Sequence, residues 1–272
     1  MSELRLGQML QGVELCTYGL SRQQFRGPPP DLAAPFIAFI GGTETLGPYQ
    51  PHPFASRVAA ELGLGALNLG IKNAGLDVFL SDPEVLRAAN HADHIVLETL
   101  SPANMSNAFY RVHPRRNDRV VEVRPELRTR LPALDTSDIH FTGHLLRDVA
   151  ALSAPAMEEL RMELQLCWIE RLGTLVDRLA VPVHLLHIVD RRDRLRARLI
   201  DRETINAVRD LAQSVTIVQP SADARGEGTT AMSVLPAEAH VAAAMLSTAA
   251  HVEVARDIAR HLTPQTQKAR AS

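Results

Sequence analysis

The stretch PFIAFIGGTETLG, residues Pro35 to Gly47, decides the fold of this chain. Its first part, PFIAFIGG, is a continuous apolar run that stops on glycines. A run without polar alternation is typical of a strand that is buried on both faces, as in a parallel sheet. Pro48, Pro51 and Pro53 follow and exclude an immediate helix, so the sequence predicts a loop at the carboxyl end of this strand.

Further apolar runs predict four more strands of the same kind: Ala66–Leu69, His94–Leu100, Pro182–Val189 and Ser214–Val218. Helical spacing is found between and after them, in the segments Phe54–Leu62, Pro83–Asn90, Pro155–Leu179, Arg202–Ala212 and about Pro236 to His261. This alternation predicts an α/β fold: a doubly wound, mostly parallel five-stranded sheet, order 2-1-3-4-5, with helices on both faces in three layers. Ligands bind outside the carboxyl ends of the strands in such sheets.

The domain organisation follows from length and from the proline-rich segments. A chain of 272 residues can bury one large core. We expect an N-terminal extension over 1–34, one α/β domain over 35–262 and a tail over 263–272. Residues 101–153 show no clear period, and a loop of that length is uncommon in a compact domain. We therefore expect either a lid or an insertion with short elements of its own.

Composition excludes several classes of function. The formal net charge of −2 argues against a nucleic-acid-binding surface. No apolar run reaches the ~20 residues of a membrane span, and the N-terminus lacks an apolar leader, so we expect a cytoplasmic protein without membrane contact. Cys16 and Cys167 lie far apart without CxxC spacing, which indicates free thiols. The oligomeric state is not determined by the sequence.

The GGTETLG segment after the first strand has two possible interpretations. The first is the glycine fingerprint of dinucleotide-binding folds, whose glycines let the backbone approach a pyrophosphate. Here Glu44 stands at the middle glycine position, and the prolines delay the helix that should begin at once. The required structural context is missing, so we expect no nucleotide or other cofactor.

The second interpretation is a family resemblance. GGTETLG resembles the GDSLTxG block of the SGNH or GDSL hydrolases, with Thr43 at the position of the nucleophilic serine. NLG resembles the block whose glycine, here Gly70, contributes to the oxyanion hole. SPANMSN holds the candidates for the oxyanion-hole asparagine, Asn104 or alternatively Asn107, and PAEAH resembles the block of the catalytic histidine, His240. FRGP, GGTET and FYRVHPRRND also resemble an uncharacterised bacterial family of this superfamily.

The resemblance implies a hydrolase or acyltransferase that acts on an ester of a polar molecule, such as a carbohydrate. Thr43 would attack and His240 would take its proton. Two departures stand out: Ala237 replaces the aspartate before the histidine, leaving Glu238 as the nearest carboxylate, and Gly42 replaces the first-block aspartate. The alternative is a non-catalytic ligand-binding module on a degenerate SGNH-like fold. A carboxylate that reaches His240 would favour the enzyme.

A small-molecule substrate needs further contacts, and the sequence offers two sets. Residues of the strand-end loops are expected to line the substrate site: Gly42, Gly70, Asn73 and Asn104. Asparagine is also a common turn former, and the alternative role of Thr43 is to satisfy backbone groups in a turn. Arginines after the third and fourth strands, Arg115, Arg116 and Arg192, suit an anionic substrate because the guanidinium fork binds carboxylate or phosphate. The alternative is a solvated surface with local ion pairs.

A metal site is not expected. His140 and His144 have the i, i+4 spacing of helical metal ligands, and Asp138 precedes them. Nothing else in the sequence completes such a site. The residues just before, including Asp138, are equally typical of a helix cap.

Overall fold

A computed structural model describes residues 13–189 and 197–271, with side chains described up to residue 263. The strands are β1 Leu15–Cys16, β2 Phe25–Arg26, β3 Phe36–Gly41, β4 Gly65–Gly70, β5 His94–Glu98, β6 Tyr110–His113, β7 Arg116–Val123, β8 Val183–Ile188 and β9 Ser214–Val218. The helices are α1 Thr43–Leu46, α2 Phe54–Leu62, α3 Leu76–Leu80, α4 Pro83–Ala89, α5 Pro125–Arg130, α6 Thr142–Leu152, α7 Ala154–Val176, α8 Arg202–Ala207, α9 Ala222–Gly226, α10 Ala239–Ala242 and α11 Thr248–Ala271. In these residues no helix is long and apolar enough to cross a bilayer.

The main sheet has five strands in the order β4-β3-β5-β8-β9, and every pair in it is parallel. In order of the predicted strands this is 2-1-3-4-5, so the predicted topology is confirmed. β3 lies in the interior of the sheet and all six of its residues are buried, which explains its unbroken apolar sequence. The loops after β3, β4 and β5 therefore leave the same edge side by side.

Helices cover both faces of the sheet. On one face α7 packs with α3 and α4 over Ala38, Ile40 and Leu97. On the other, α2 and α11 cover Ile37 and Phe39. The result is the three-layer α/β/α arrangement that the alternation of strands and helices predicts.

Helix α7 confirms the clearest helical pattern of the sequence. Its apolar residues at spacings of three and four point inward and are fully buried: Leu160, Leu164, Trp168, Leu172 and Leu175. The indole Nε1 of Trp168 donates a hydrogen bond to the carbonyl of Leu100 at 2.8 Å. This bond ties α7 to the loop that follows β5.

The last helix begins later than predicted. Residues 236–245 form a single 3₁₀ turn, Pro236–Glu238, and the short helix α10, and the long helix α11 starts only at Thr248. Ser247 marks this start, because its hydroxyl accepts the N–H of Ala250 at 3.1 Å. His240 therefore lies on a separate short helix rather than at the start of the final one.

Residues 101–153 form an insertion with its own elements, one of the two forms that the sequence predicts. β6 and β7 pair as an antiparallel hairpin, followed by α5 and α6. Their inward side chains, among them Tyr110, Leu127 and Leu145, form a second apolar cluster with α7. The insertion is thereby anchored on α7 and stands beside the carboxyl edge of the main sheet.

Residues 13–34, the described part of the segment before the domain, are bound closely to it. Phe25 is fully buried, and Arg26 extends its guanidinium into the loop after α1. There the guanidinium donates to the carbonyls of Gly47, Gln50 and Pro51 at 2.7, 2.8 and 3.1 Å. Burial lowers the pKa of Arg26 to about 10. The guanidinium thus acts as a clamp on the loop that connects α1 to α2.

Replacing Arg26 with methionine should lower the free energy of unfolding by about 3 kcal/mol, because the carbonyls that it satisfies would lose their donor inside the protein. Urea unfolding, followed by the fluorescence of Trp168, measures this change. Arg22→Met is the matched control, since Arg22 is exposed and lies four residues earlier in the same segment. Equal midpoints for the two variants would contradict the clamp.

Candidate functional site

The hydroxyl of Thr43 lies at the carboxyl edge of the main sheet. Thr43 is the first residue of α1, directly after β3, and is half-buried. Its Oγ1 accepts the backbone N–H of Asn73 at 2.9 Å and donates to Asn73 Oδ1 at 3.2 Å. Asn73 comes from the loop after β4, the neighbouring strand. Two adjacent strand ends therefore meet at this hydroxyl, as the topology predicts.

Asn73 is held in an uncommon conformation by partners on the insertion. Its φ of 52° lies in the left-handed region, which asparagine tolerates better than most residues. Its Nδ2 donates to Asp118 Oδ2 on β7 at 2.9 Å, which directs the amide oxygen toward Thr43. Its carbonyl accepts from Asn104 Nδ2 at 3.0 Å, and Asn104 Oδ1 accepts from Thr142 Oγ1 at 2.8 Å. Asn73 thus joins the Thr43 turn to the insertion.

A carboxylate at the end of β5 also holds the turn that contains Thr43. Glu98, at the end of β5, accepts the N–H of Gly42 at 2.8 Å and the hydroxyl of Thr45 at 2.6 Å. Burial raises the pKa of Glu98, while the hydrogen bonds from Thr45 and Gly42 act against that rise. Gly42 and Thr45 flank the nucleophile position, so Glu98 fixes the backbone that presents Thr43.

A cleft of about 340 Å³ lies between the β4 loop and the insertion, and Asn73 in its lining is hydrogen-bonded to Thr43. Asn73 and Asp118 line one part of it, and residues of α6, including His144 and Arg147, line another. Its polar and charged lining, together with its small size, fits a small polar ligand. Across the described ranges no group of three or more His, Cys, Asp or Glu side chains is arranged to hold a metal ion.

Among the described residues no hydrogen bond joins Thr43 to His240. His240 is exposed on α10, and both hydrogen bonds of the Thr43 hydroxyl are made with Asn73. Glu238 lies beside the buried hydroxyl of Tyr49 without a well-aligned hydrogen bond. Burial and the charge of Glu238 together raise the pKa of Tyr49 to about 12. The Thr43–His240–Glu238 arrangement stays a prediction, and the segment that carries His240 packs on Tyr49 in the loop after α1.

The predicted oxyanion donors are also engaged elsewhere. The N–H of Gly70 donates to Asn68 Oδ1 at 2.9 Å, and the N–H of Gly42 donates to Glu98. Asn104 is 2% exposed and uses its amide to link Asn73 with the insertion. Asn107, the alternative, shapes its own loop, since its Oδ1 accepts from the N–H groups of residues 109 and 110. In this structure the hydrogen bonds of these residues are made within the protein.

The arginine prediction is corrected in part. Arg115 and Arg116 are exposed at the tip of the β6–β7 hairpin, and neither lines the cleft. Arg192 lies outside the described residues. The cation that does line the cleft is Arg147 on α6, and the guanidinium of Arg119 stacks on the ring of Phe141 nearby, 5.0 Å from its centroid.

Sequence reasoning gave no role beside Thr43 to His251 or His144. His251, in the first turns of α11, is buried, accepts the N–H of Phe54 at 3.1 Å and lies 3.8 Å from Glu44. His144 lines the cleft on α6. The signal for His251 was the helix start at Ser247, a cap residue before an apolar helical pattern. For His144 only the i, i+4 spacing with Asp148 was visible.

The fold and site define a three-layer α/β protein with a polar cleft at the carboxyl edge of its sheet. Its sequence matches the model of the DUF6473 family, described as a domain of unknown function, over residues 1–266. The chain therefore belongs to this family. A search of curated proteins found no match.

Two solved structures resemble the chain. One is an acetyl xylan esterase, Est2A, from the rumen bacterium Butyrivibrio proteoclasticus, with 9% sequence identity and a TM-score of 0.44. The match covers 89% of this chain and 66% of the esterase, so the chain spans less than two thirds of the esterase's length. A lipase/acylhydrolase from Enterococcus faecalis has 12% identity and a TM-score of 0.41, over 85% of this chain and 96% of that protein.

Proposed function

We propose that this protein is a hydrolase or acyltransferase that acts on an ester of a small polar molecule, with the Thr43 hydroxyl as its nucleophile. The observation that carries the proposal is the position of that hydroxyl. It sits at the carboxyl edge of the sheet, fixed by a backbone N–H of Asn73, a residue that also lines the cleft. A hydroxyl fixed next to a residue that lines a ligand-sized cleft supports a covalent mechanism through Thr43.

Charge stabilisation would come from the start of α1. As the first residue of this helix, Thr43 has a backbone N–H without an intrahelical acceptor. An N–H at that position can donate to the oxyanion that forms when Thr43 Oγ1 attacks a carbonyl. Arg147 in the same cleft suits an anionic group on the substrate.

A second candidate function is a non-catalytic binding module. The hydrogen bond that Thr43 donates favours this candidate. Its acceptor is the amide oxygen of Asn73, which is not a base. The position of Glu238 also favours this candidate, because the carboxylate nearest to His240 in the sequence lies beside Tyr49. In this candidate Thr43 and Asn73 serve to shape the cleft, and its lining binds the ligand.

The test is the turnover of p-nitrophenyl acetate and a panel of acyl esters by the full chain. Thr43→Ala should lower kcat by a factor on the order of 10³ or more, because it removes the attacking oxygen. Thr43→Ser keeps the hydroxyl without the crowding methyl group, so its rate should equal or exceed that of the wild type, and it should react with a serine-directed phosphonate probe.

Thr174→Ala is the matched control, since Thr174 is exposed on α7 and bonds only within its own helix. It should turn over esters like the wild type. Turnover by neither wild type nor Thr43→Ser, with no labelling by the probe, would reject the enzyme and favour the binding module.

A further inference from the structure

A histidine and an aspartate of the insertion form a pair at the cleft. His144 Nε2 lies 3.1 Å from Asp148 Oδ2, one turn further along α6. The two side chains are 40% and 36% exposed, so the pair is open to solvent and to a ligand. A carboxylate on one ring nitrogen orients the imidazole and leaves the other nitrogen, here Nδ1, as the proton acceptor of the neutral ring.

A chain of hydrogen bonds connects the start of α6 to the nucleophile position. Thr142 Oγ1 donates to Asn104, and Asn104 donates to the carbonyl of Asn73. Asn73 in turn donates its N–H to Thr43 Oγ1. Thr142 and Asn104 are 0% and 2% exposed, so this connection is buried and rigid. His144, in the same first turn of α6, is therefore placed relative to Thr43 by buried contacts.

Three other described histidines, His251, His187 and His240, do not line this cleft. His251 Nδ1 accepts the N–H of Phe54 inside the core. His187 Nδ1 is 2.8 Å from the hydroxyl of Thr99, and neither residue lines the cleft. His240 is exposed on α10. His144 shares the cleft with Asn73, the one residue that bonds the Thr43 hydroxyl.

We propose that His144 is the general base of this site and that Asp148 is its positioning residue. The inference rests on the proposed function and assigns the base to the insertion instead of the final helical segment. The proton would reach His144 directly or through one water, after the Thr43 hydroxyl has turned from Asn73 Oδ1.

The reaction then balances in two steps. Thr43 Oγ1 bonds to the ester carbonyl carbon while His144 takes the hydroxyl proton. The bond from that carbon to the leaving oxygen breaks, and the leaving oxygen takes the proton from His144. In the second step a water or acceptor hydroxyl attacks the acyl-threonine, gives its proton to His144, and the released Thr43 oxygen recovers that proton.

The experiment measures p-nitrophenyl acetate turnover by variants of the full chain. His144→Ala should lower kcat by a factor on the order of 10² to 10⁴, the range typical of a general base, with little change in KM. Added imidazole should restore part of this loss, and it should restore nothing in Thr43→Ala. Asp148→Asn should lower kcat about 10-fold or more at unchanged KM, because the ring loses its orienting carboxylate.

His140→Ala is the matched control, since His140 is exposed in the segment before α6, four residues before His144, and should behave like the wild type. The urea midpoint of each variant, read from Trp168 fluorescence, must match that of the wild type, and His144→Gln replaces any variant that does not fold. Thr43-dependent turnover that survives His144→Ala within about 3-fold, or that is lost in His240→Ala or His187→Ala instead, would overturn the inference and leave the proposed function intact. Absence of any Thr43-dependent turnover would reject both.

Discussion

Lowering the pH from about 7 to about 4 should unfold this protein cooperatively, because two buried imidazoles are held in their neutral form. His251 is 1% exposed and its ring stacks on Phe54 with 5.7 Å between centroids. Burial, followed by the nearby cations Arg57 and Arg26, lowers the pKa of His251 to about 3. His184, on β8, is 3% exposed, and burial lowers its pKa to about 4.

The sign of the effect follows from proton binding. An imidazole in the unfolded chain takes up a proton near pH 6.5. Below that pH the unfolded chain binds more protons than the folded one, so the free energy of unfolding falls as the pH falls. The stabilisation is complete above about pH 6.5 and disappears as the pH approaches the lowered pKa values of the folded state.

The expected loss is large. At 1.36 kcal/mol for each pH unit, His251 and His184 would each remove about 3 kcal/mol between pH 6.5 and pH 4. Together they approach the whole stability of a typical domain, about 5–15 kcal/mol. Glu98 opposes the trend, because its raised pKa lets the folded state take up a proton before the unfolded chain does.

Urea unfolding over a series of pH values measures this dependence, with Trp168, the only tryptophan, as the fluorescent reporter. His251→Asn keeps an acceptor for the N–H of Phe54 but cannot take up a proton, so its free energy of unfolding should vary less with pH. His52→Asn, on an exposed histidine, should keep the dependence of the wild type. Identical pH dependence in His251→Asn and wild type would contradict the assignment.

The second large effect is expected from Gly70→Ala. A Cβ on Gly70 would lie 2.2 Å from the backbone N and 2.6 Å from the Cα of Leu46. Backbone atoms at that distance cannot yield as a flexible side chain does, so α1 would have to move away from β4. We expect the free energy of unfolding to fall by about 3 kcal/mol or more. Ester turnover should fall as well, because α1 carries Thr43.

Gly226→Ala is the matched control for this change. Gly226 ends α9, and an added Cβ there meets nothing within 4 Å. Alanine in a helix is favoured over glycine by about 0.5–1 kcal/mol, so this variant should be as stable as the wild type or slightly more stable. A Gly70→Ala protein with an unchanged urea midpoint would show that the backbone of α1 does not pack directly against Gly70 of β4.

The order of the main elements could be predicted from the sequence because each element has its own local pattern of apolar residues. An apolar run such as PFIAFIGG reports burial on both faces of a strand, and the leucine spacing of α7 reports one buried face of a helix. Parallel strands joined by helices then leave few topologies. The sequence alone therefore placed Thr43 at the carboxyl edge of the sheet, directly after an interior strand, although the loop expected there begins with the short helix α1.

The partners of Thr43 were decided only by the tertiary structure. Asn73 and Asp118, which complete its network, are separated by 45 residues, and the insertion that carries Asp118 shows no period that predicts where it docks. Whether an amide side chain contacts a ligand or hydrogen-bonds within the protein also depends on residues from distant segments. Asn104 is an example, because its amide bonds to Asn73 and Thr142.

The same holds for the histidines. A histidine in the sequence does not report its burial, because either a solvated or a packed helix face accepts it. The position at which α11 begins, and the way in which it packs, bury His251 in the core and leave His240 exposed. Local patterns record what one element buries, but the polar contacts of a site form between elements, and only the packed chain determines which of them meet.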